Sequence, residues 1–292
     1  MEFGRLLTAM VTPMHPDGSV NHEASAQLAR YLVEHGTDTL VVTGTTGESP
    51  TLTVEEKLDL YRTVREAVGD SARVVAGTGS YSTRESLELT QEAEKLGVDG
   101  AMLVVPYYNN PPQEGLYRHF RAIAEGTRLP IILYNVPSRA PRNMEAATTL
   151  RLAEIPNIVA VKEASGKLEQ IAEILGKAPE GFRVYSGDDS STLPLMSMGA
   201  YGIISVAGHL AGKQIRQMVD AFAAGNVAEA ARWHQRLLPL FQACFCTTNP
   251  IPVKAGVSLL GIPAGPVRLP LVDADEQVIA TVRREMEALG IL

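Results

Sequence analysis

The sequence predicts an α/β protein built as a (β/α)8 barrel with a C-terminal helical extension. Eight short apolar segments of β type recur along the chain, and most are followed by an amphipathic stretch. Most of these segments are nearly continuous apolar runs, which is typical of parallel strands covered on both faces. Eight such strands alternating with helices indicate a closed parallel barrel of the TIM type.

The β-type segments alternate with helical patterns, two of which begin with a capping sequence. The predicted strands span residues 5–12, 39–43, 73–77, 101–106, 130–134, 158–162, 183–186 and 202–206. The predicted helices include residues 21–35, 53–68, 83–96, 113–125 and 167–175. Thr53 and Ser82 each precede a glutamate by three residues, which is the spacing of a capping box. A doubly wound open sheet is the alternative, but it fits less well because no G-x-G-x-x-G fingerprint follows the first strand.

Beyond about residue 225 the strand pattern stops. We expect residues 1–224 to form the catalytic barrel and residues 225–292 to form a helical extension packed on it. Helices are predicted at residues 228–245, 252–260 and 274–289, with a connector rich in Gly and Pro at residues 261–270. The length of 292 residues suits this plan, since α/β barrels commonly reach that size as one unit.

Composition excludes several classes of partner. Lys and Arg together number 26 against 33 Asp and Glu, a net charge of −7, which predicts no binding to nucleic acid or to an anionic membrane. No apolar run approaches the roughly 20 residues that span a bilayer, and residues 1–5 do not begin a signal peptide. Cys244 and Cys246 are too close for an ordinary disulfide and two ligands short of a zinc site. A cytoplasmic location is the default expectation.

Lys162 is the most informative residue. It follows the apolar run at residues 158–161, whereas the six other lysines fall in stretches that read as helix or loop. A lysine buried without a partner charge is more easily neutral, and a neutral amine attacks a carbonyl. The alternative is a lysine at a strand end that forms a salt bridge or extends its ammonium to water.

Other polar residues follow strand ends, where barrels place their catalytic groups. Gly-Thr-Thr-Gly-Glu at residues 44–48 precedes a helix and is suited to binding a carboxylate through backbone N–H groups and hydroxyls. Its glycines alternatively serve only a tight turn with positive φ. Tyr107, Tyr108 and Tyr134 follow or end strands and are candidates for a proton relay or for ordinary rim residues. Arg139 is a candidate carboxylate clamp or a solvated loop arginine.

Neither a metal nor a cofactor is expected. Asp188 and Asp189 end the seventh strand, and this acidic pair argues for a substrate without a phosphate group. The six histidines show neither H-x-H nor H-E-x-x-H spacing, so no metal site is predicted. No motif suggests a nucleotide or a flavin.

Four motifs together closely resemble the dihydrodipicolinate synthase family of pyruvate-dependent class I aldolases, which also include N-acetylneuraminate lyase. They are Gly-Thr-Thr-Gly-Glu at 44–48, Tyr-Asn-Val-Pro-Ser-Arg at 134–139, Val-Lys-Glu-Ala at 161–164 and Ser-Gly-Asp-Asp at 186–189. The resemblance runs from residue 7 to the C-terminal helices. It implies a lyase that condenses pyruvate with L-aspartate-4-semialdehyde in the biosynthesis of diaminopimelate and lysine.

The resemblance also implies a role for each site residue. Lys162 would form a Schiff base with pyruvate, Tyr134 would shuttle protons, and Thr45 and Tyr108 would be its relay partners. Thr46 would bind the pyruvate carboxylate, and Arg139 that of the semialdehyde. The backbone at Gly187 and Ile204 would line the pocket. The family is usually a homotetramer built from two tight dimers, in which the tyrosine matching Tyr107 crosses the dimer interface.

Feedback inhibition by lysine is not expected. Lysine-inhibited members of the family carry two histidines and an asparagine where this chain has Val54, Lys57 and Tyr81, although Ser49, Glu85 and Tyr107 match. A cationic Lys57 would repel the ammonium of the effector.

Two other functions remain as alternatives. The first is a retro-aldolase of the same superfamily that cleaves a sialic acid or a 2-keto-3-deoxy sugar acid. Arg139 argues against it because such substrates present hydroxyls rather than a second carboxylate. The second is a barrel that binds ligands without catalysis.

Overall fold

The computed structural model describes residues 3–292 and contains a closed barrel of eight parallel strands. Each strand pairs with its neighbour in the sequence, and β8 pairs with β1, which closes the barrel and excludes the open sheet. The strands are β1 Leu6–Ala9, β2 Thr39–Val42, β3 Arg73–Gly77, β4 Gly100–Val104, β5 Ile131–Asn135, β6 Ile158–Glu163, β7 Arg183–Ser186 and β8 Gly202–Ser205. The predicted (β/α)8 architecture is confirmed.

Helices follow the strands around the barrel and continue beyond it. They are α1 His22–Glu34, α2 Val54–Val68, α3 Thr83–Lys95, α4 Gln113–Glu125, α5 Ala146–Ala153, α6 Leu168–Lys177, α7 Thr192–Ser197, α8 Gly208–Ala223, α9 Val227–Ala243, α10 Ile251–Leu259 and α11 Glu276–Ala288, with a 3-10 turn at Ser49–Thr51. The boundary predicted at residues 224 and 225 falls in the turn between α8 and α9. No helix among residues 3–292 is long and apolar enough to cross a membrane.

The first predicted strand is too long. It was expected to run to residue 12, but β1 ends at Ala9 although Met10 and Val11 are also buried. The reason is a side chain: the N–H of Val11 donates to His209 Nε2 at 3.0 Å instead of to a strand. A buried apolar loop and a buried strand look alike in sequence, since only the hydrogen-bond partner separates them.

The two predicted capping boxes have different outcomes. Thr53 forms the complete box with Glu56, each side chain accepting the other residue's backbone N–H. Ser82 accepts from the Glu85 N–H, but its own N–H donates to Ser80 Oγ at 3.0 Å. The second helix start therefore has half of the predicted arrangement, because a nearby hydroxyl has taken the place of the glutamate.

The side chains of the strands form two layers. Alternate residues point into the barrel and pack on each other, while the residues between them pack on the surrounding helices. In β5 and β6, Ile132, Tyr134 and Ala160 belong to the inner layer, and Leu133 and Val161 to the outer one. This alternation carries the side chain of the residue after Val161 back into the barrel.

Candidate active site

Lys162 and Tyr134 are adjacent inside the barrel. They lie opposite each other in the register of β6 and β5, and the Nζ atom lies 4.3 Å from the centroid of the tyrosine ring. Lys162 is 4% exposed and has neither an ion-pair nor a hydrogen-bond partner among residues 3–292. The predicted salt-bridged alternative for this lysine is therefore wrong.

Two cavities meet at this pair. The lysine cavity, of about 210 Å³, is lined by Lys162 and by Thr46, Gly187 and Asn249. The tyrosine cavity, of about 220 Å³, is lined by Tyr107 and residues of the β2 and β3 loops. Their shared wall consists of Thr45, Tyr134, Val136 and Arg139. Thr45 and Tyr134 therefore border both cavities.

The loop at residues 44–48, here called the glycine loop, follows β2 and is held in an unusual conformation. Its positive φ angles lie at the flanking Thr43 (55°) and Glu48 (58°), not at its glycines, so the turn-glycine alternative is wrong. A Cβ on Gly47 would lie 3.0 Å from the Thr43 Cα, which shows that this glycine is required for close approach. Thr43 is fixed by hydrogen bonds to the Tyr61 hydroxyl (2.7 Å) and the Gly77 carbonyl (3.1 Å).

Arg139 lies on the loop between β5 and α5 and lines both cavities. Its guanidinium donates to the Asn249 carbonyl at 3.2 Å and has no carboxylate partner among the described residues. The charge is therefore free to bind an anionic group. An arginine paired only with a backbone carbonyl retains donors for a bidentate carboxylate contact.

The loop that carries Arg139 is supported from outside the barrel by a buried carboxylate. Glu163 accepts from Asn135 Nδ2 at 2.7 Å and from Gln170 Nε2 at 3.2 Å, and Asn135 Oδ1 accepts from the Met144 N–H at 2.9 Å. Burial raises the pKa of Glu163, while these hydrogen bonds oppose the rise. Sequence reasoning gave Asn135 and Glu163 no role, although both lie inside the quoted motifs.

The loops after β7 and β8 are joined by Asp189. Its carboxylate accepts from the Ser205 hydroxyl and from the backbone N–H groups of Val206 (3.0 Å) and Ala207 (3.3 Å). Burial raises its pKa, and the same hydrogen bonds oppose the rise. These N–H groups precede α8, where a phosphate would bind, so the carboxylate already fills the position. This arrangement supports the expectation that the substrate carries no phosphate group.

No group of three or more His, Cys, Asp or Glu side chains in the described part of the chain is arranged to hold a metal ion. His209, the histidine nearest these loops, is used within the fold. Its two ring nitrogens contact the Val11 N–H at 3.0 Å and the Val206 carbonyl at 2.7 Å. Burial lowers its pKa to about 4, which keeps the ring neutral.

The chain is similar over its whole length to known proteins. The model of the dihydrodipicolinate synthetase family matches residues 2–289. Two relatives named 4-hydroxy-tetrahydrodipicolinate synthase, from Moorella thermoacetica and Symbiobacterium thermophilum, are 62% and 59% identical over 292 and 291 residues, covering 100% and 99% of each chain. A structure of DHDPS from Cyanidioschyzon merolae with lysine bound is 50% identical, with a TM-score of 0.98 over 99% of each chain. The chain belongs to the dihydrodipicolinate synthetase family.

Within this family member, the two neighbouring tyrosines occupy different places from those predicted. Tyr108 was expected beside Tyr134, but its side chain is 91% exposed and lines neither cavity. Tyr107 was expected to leave the protomer, but it is half-buried and lines the tyrosine cavity. The cause is the backbone, because a φ of 73° at Tyr108 turns its side chain away from that of its neighbour.

Of the two backbone positions predicted to line the pocket, one does so. Gly187 lines the lysine cavity, and its N–H donates to the Glu163 carbonyl at 2.8 Å. A Cβ at this position would lie 2.7 Å from the Ala164 Cβ, so the site requires glycine. Ile204 is not among the residues lining either cavity. It packs in the inner layer with Tyr134.

Two contacts from the C-terminal helices to the glycine loop were not predicted. Lys254 and Glu48 form an ion pair of 2.8 Å in which both side chains are 2% exposed. Asn249 Nδ2 donates to Thr46 Oγ1 at 2.9 Å. The partners are 206 and 203 residues apart. The one sequence feature that could have directed attention to Glu48 is its place at the end of the glycine motif.

Of the positions compared with the family's lysine site, Ser49 and Tyr107 line the tyrosine cavity. Lys57 is half-buried, and desolvation lowers its pKa although the Glu85 carboxylate attracts its charge. Val54 and Tyr81 are exposed, and the Tyr81 and Tyr107 rings meet edge to face with centroids 5.5 Å apart. The expected absence of lysine inhibition stays a prediction.

Proposed function

We infer that this protein catalyses the 4-hydroxy-tetrahydrodipicolinate synthase reaction, the condensation of pyruvate with L-aspartate-4-semialdehyde in diaminopimelate and lysine biosynthesis. The observation that carries the inference is Lys162, a buried amine without a counter-charge that opens on a cavity beside Tyr134. The family, and the names of relatives identical over more than half of their residues, support the same reaction.

We assign a group of this site to each step of the reaction. The Lys162 amine attacks the keto carbon of pyruvate, and loss of water leaves an iminium that withdraws electrons from the methyl group. A methyl proton then leaves, the enamine carbon attacks the aldehyde of the second substrate, and the aldehyde oxygen takes up a proton. The α-amino group of the adduct then attacks the iminium carbon, which closes the ring and displaces the Lys162 amine. Tyr134 and Thr45 line both cavities, so we assign to them the transfer of these protons. No cofactor is needed, because the iminium itself is the electron sink.

The two carboxylates of the substrates have separate sites in this proposal. Thr46 lines the lysine cavity and would donate its hydroxyl to the carboxylate of pyruvate, and Gly187 lines the same cavity. Arg139 would hold the carboxylate of the semialdehyde, since its guanidinium has no acidic partner. A retro-aldolase acting on a sugar acid has no use for this second cation.

We propose that the site is completed by a neighbouring protomer in a homotetramer built from two dimers. The Tyr108 side chain is exposed. The tyrosine cavity of the same protomer is open beside Thr45 and Tyr134. Tyr108, rather than Tyr107, is thus the residue we assign to the relay across the interface. Mixing Tyr108→Phe with Lys162→Ala protomers tests this: recovered activity supports the crossing, and no recovery in mixed oligomers contradicts it.

The decisive experiment for the reaction itself is reduction with borohydride in the presence of pyruvate, followed by peptide mass spectrometry. We expect an adduct on Lys162 alone, whereas a non-catalytic binding barrel gives none. A coupled assay then compares L-aspartate-4-semialdehyde with N-acetylmannosamine as the acceptor. If only the semialdehyde is turned over, the synthase reaction is supported. If only N-acetylmannosamine is turned over, the protein is a lyase and the proposed reaction is wrong. We place this biosynthetic enzyme in the cytoplasm.

A further inference from the structure

The residues that follow Tyr134 and Lys162 form a second pair on the opposite face of the sheet. Asn135 and Glu163 lie opposite each other in the register of β5 and β6, and both are 1% exposed. Because successive residues of a strand point to opposite faces, their side chains lie outside the barrel, behind the reacting pair. Neither residue lines the lysine cavity or the tyrosine cavity. Any effect of this pair on the substrates must therefore act through other residues.

Hydrogen bonds between side-chain amides lead in one direction to Glu163. The Met144 N–H donates to Asn135 Oδ1 at 2.9 Å, which fixes Nδ2 as the free end of that amide. Asn135 Nδ2 donates to Asn143 Oδ1 at 3.0 Å and to Glu163 Oε1 at 2.7 Å. Asn143 Nδ2 in turn donates to Gln170 Oε1 at 2.8 Å, and Gln170 Nε2 donates to Glu163 Oε2 at 3.2 Å. Both branches therefore end in donors that point at Glu163.

Only a group that accepts on both of its outer atoms completes this network. A carboxylate does so, whereas an amide in its place would put a donor against Asn135 or against Gln170. Neither partner can turn over to adapt, since the first is fixed by a backbone N–H and the second by Asn143. The Ser165 hydroxyl is a third donor, 3.2 Å from Glu163 Oε2. Two buried donors left facing each other would have to move apart, because each would lose its acceptor.

The element held by this network is the loop at residues 136–145, which carries Arg139. Asn143 and Met144 lie near its end and are both members of the network. We propose that the Glu163 carboxylate is a positioning residue for the second substrate, which holds this loop so that Arg139 meets the carboxylate of L-aspartate-4-semialdehyde. This inference rests on the proposed function.

A direct effect on Lys162 is the competing explanation, because Glu163 is its neighbour in the sequence. A carboxylate that acted on the amine would change the attack on pyruvate, and with it the rate of adduct formation. A carboxylate that positions the loop would change the use of the semialdehyde only. The two explanations are therefore separated by the substrate that is affected.

Glu163→Gln keeps the shape of the side chain and replaces one acceptor with a donor. We expect the KM of the semialdehyde to rise about tenfold, within the roughly hundredfold that a misplacement of about 1 Å can cost. The KM of pyruvate and the rate of borohydride-trapped labelling of Lys162 should stay nearly unchanged. Asp99→Asn, at a buried carboxylate on the residue before β4, is the control for a general loss of stability and should change neither KM.

A double-mutant cycle tests whether the effect passes through Arg139. In the Arg139→Ala background, Glu163→Gln should add nothing to the KM of the semialdehyde, since the guanidinium that it would misplace is already absent. A carboxylate that only stabilised the fold would instead give an effect that adds to that of Arg139→Ala.

Exchanging two side chains of the network provides a rescue. In the double variant Glu163→Gln with Gln170→Glu, the carboxylate lies at position 170, where it accepts from Asn143 and from the amide at position 163. The oxygen of that amide accepts from Asn135, so these amide donors again face acceptors. We expect the KM of the semialdehyde to return most of the way to the wild-type value.

If Glu163→Gln does not fold, Asn143→Ala removes the side chain of the loop itself from the network and should give the same one-sided change in KM. An unchanged KM of the semialdehyde, equal changes for both substrates or slower labelling of Lys162 would overturn the proposal. So would an additive effect with Arg139→Ala, or an exchange that restores nothing. Failure of the wild-type protein to form the pyruvate adduct would instead overturn the proposed function itself, and the inference with it.

Discussion

Lys162 and Lys254 are buried to nearly the same degree, but their surroundings are opposite. Lys254 is 2% exposed and its ammonium donates to Glu48 at 2.8 Å and to the Pro266 carbonyl at 2.5 Å. Lys162 is 4% exposed and has only the face of the Tyr134 ring near its Nζ atom. The two lysines therefore share burial and differ in the counter-charge, which only Lys254 has.

The pKa of Lys254 shows the two effects in one residue. Desolvation lowers it, and the charge and hydrogen bond of Glu48 raise it. The pair connects α10 to the glycine loop, so its function is to fix that loop. The same distinction separates Arg139, whose guanidinium contacts only a carbonyl, from Arg268, whose guanidinium pairs with Glu56. Lys162 and Arg139, which line the lysine cavity, are unpaired, whereas Lys254 and Arg268, which join distant elements, are paired.

The largest expected effect comes from removing the unpaired lysine. Lys162→Ala should abolish both the pyruvate adduct and turnover, since no other group supplies the amine. The loss of folding free energy should be only about 1–2 kcal/mol, within the usual range for one substitution. Mass spectrometry after borohydride reduction locates the adduct. An adduct on Lys254, which is equally buried, would contradict the assignment of the reactive amine to Lys162.

The paired lysine should matter for stability instead. Lys254→Met leaves the Glu48 carboxylate buried without a cation, which should lower the free energy of unfolding by about 3–5 kcal/mol. The double variant Lys254→Met with Glu48→Gln removes both charges and should recover most of this loss. Urea unfolding measures both. Equal stability of the single and double variants would show that the charge on Glu48 is not what destabilises the fold.

The neighbour of the unpaired lysine is the next test. Tyr134→Phe keeps the ring against Lys162 and removes the hydroxyl. Turnover should fall by about 10²–10³, the scale of a positioned acid or base. Slow formation of the pyruvate adduct should persist, which separates proton transfer from amine attack. Steady-state rates and the rate of borohydride-trapped labelling give the two measurements, and near-full activity would exclude Tyr134 from the relay.

The unpaired arginine should act on one substrate only. Arg139→Ala removes the proposed contact with the semialdehyde carboxylate, a loss of about 1.5–3 kcal/mol, and should raise the KM of that substrate roughly tenfold to a hundredfold. The KM of pyruvate should change far less. Arg139→Lys serves as a control that keeps the charge without the bidentate geometry. Equal changes for both substrates would indicate that Arg139 only supports its loop.

The smallest effect is expected for L-lysine as an inhibitor. Lys57 is only half-buried, unlike Lys162 and Lys254, and the Glu85 carboxylate attracts its charge. Val54, Lys57 and Tyr81 stand where lysine-inhibited members have polar residues, and each hydrogen bond lost to a charged ligand costs about 1.5–3 kcal/mol. Little inhibition is expected at millimolar L-lysine, and half-inhibition below about 1 mM would contradict this. The triple variant Val54→His, Lys57→His, Tyr81→Asn should gain inhibition.

Hydrophobic periodicity predicted most of the fold, and residue chemistry predicted the centre of the site. The helix predicted over residues 113–125 has those bounds in the structure, because its apolar face repeats regularly. Lys162 and Tyr134 were found because each lies within one residue of the end of its strand, and strand ends converge in a barrel. These are local features, which a single sequence contains.

What could not be predicted depends on contacts between distant residues or on one backbone angle. Asn249 and Lys254 belong to helical or loop sequences with no sign that they contact the glycine loop, about 200 residues earlier. The places of Tyr107 and Tyr108 depend on a single positive φ. Two identical side chains in succession give no sequence signal for which of them turns inward.

The contacts between the glycine loop and residues 249–268 also constrain how the enzyme is made. Residue 48 leaves the ribosome 206 residues before its partner at 254, which at roughly 5–20 residues per second is a delay of about 10–40 s. During that interval Glu48 and Thr46 have neither of their later partners, and Arg268 has not yet joined Glu56. The glycine loop therefore acquires its C-terminal contacts only when synthesis is nearly complete.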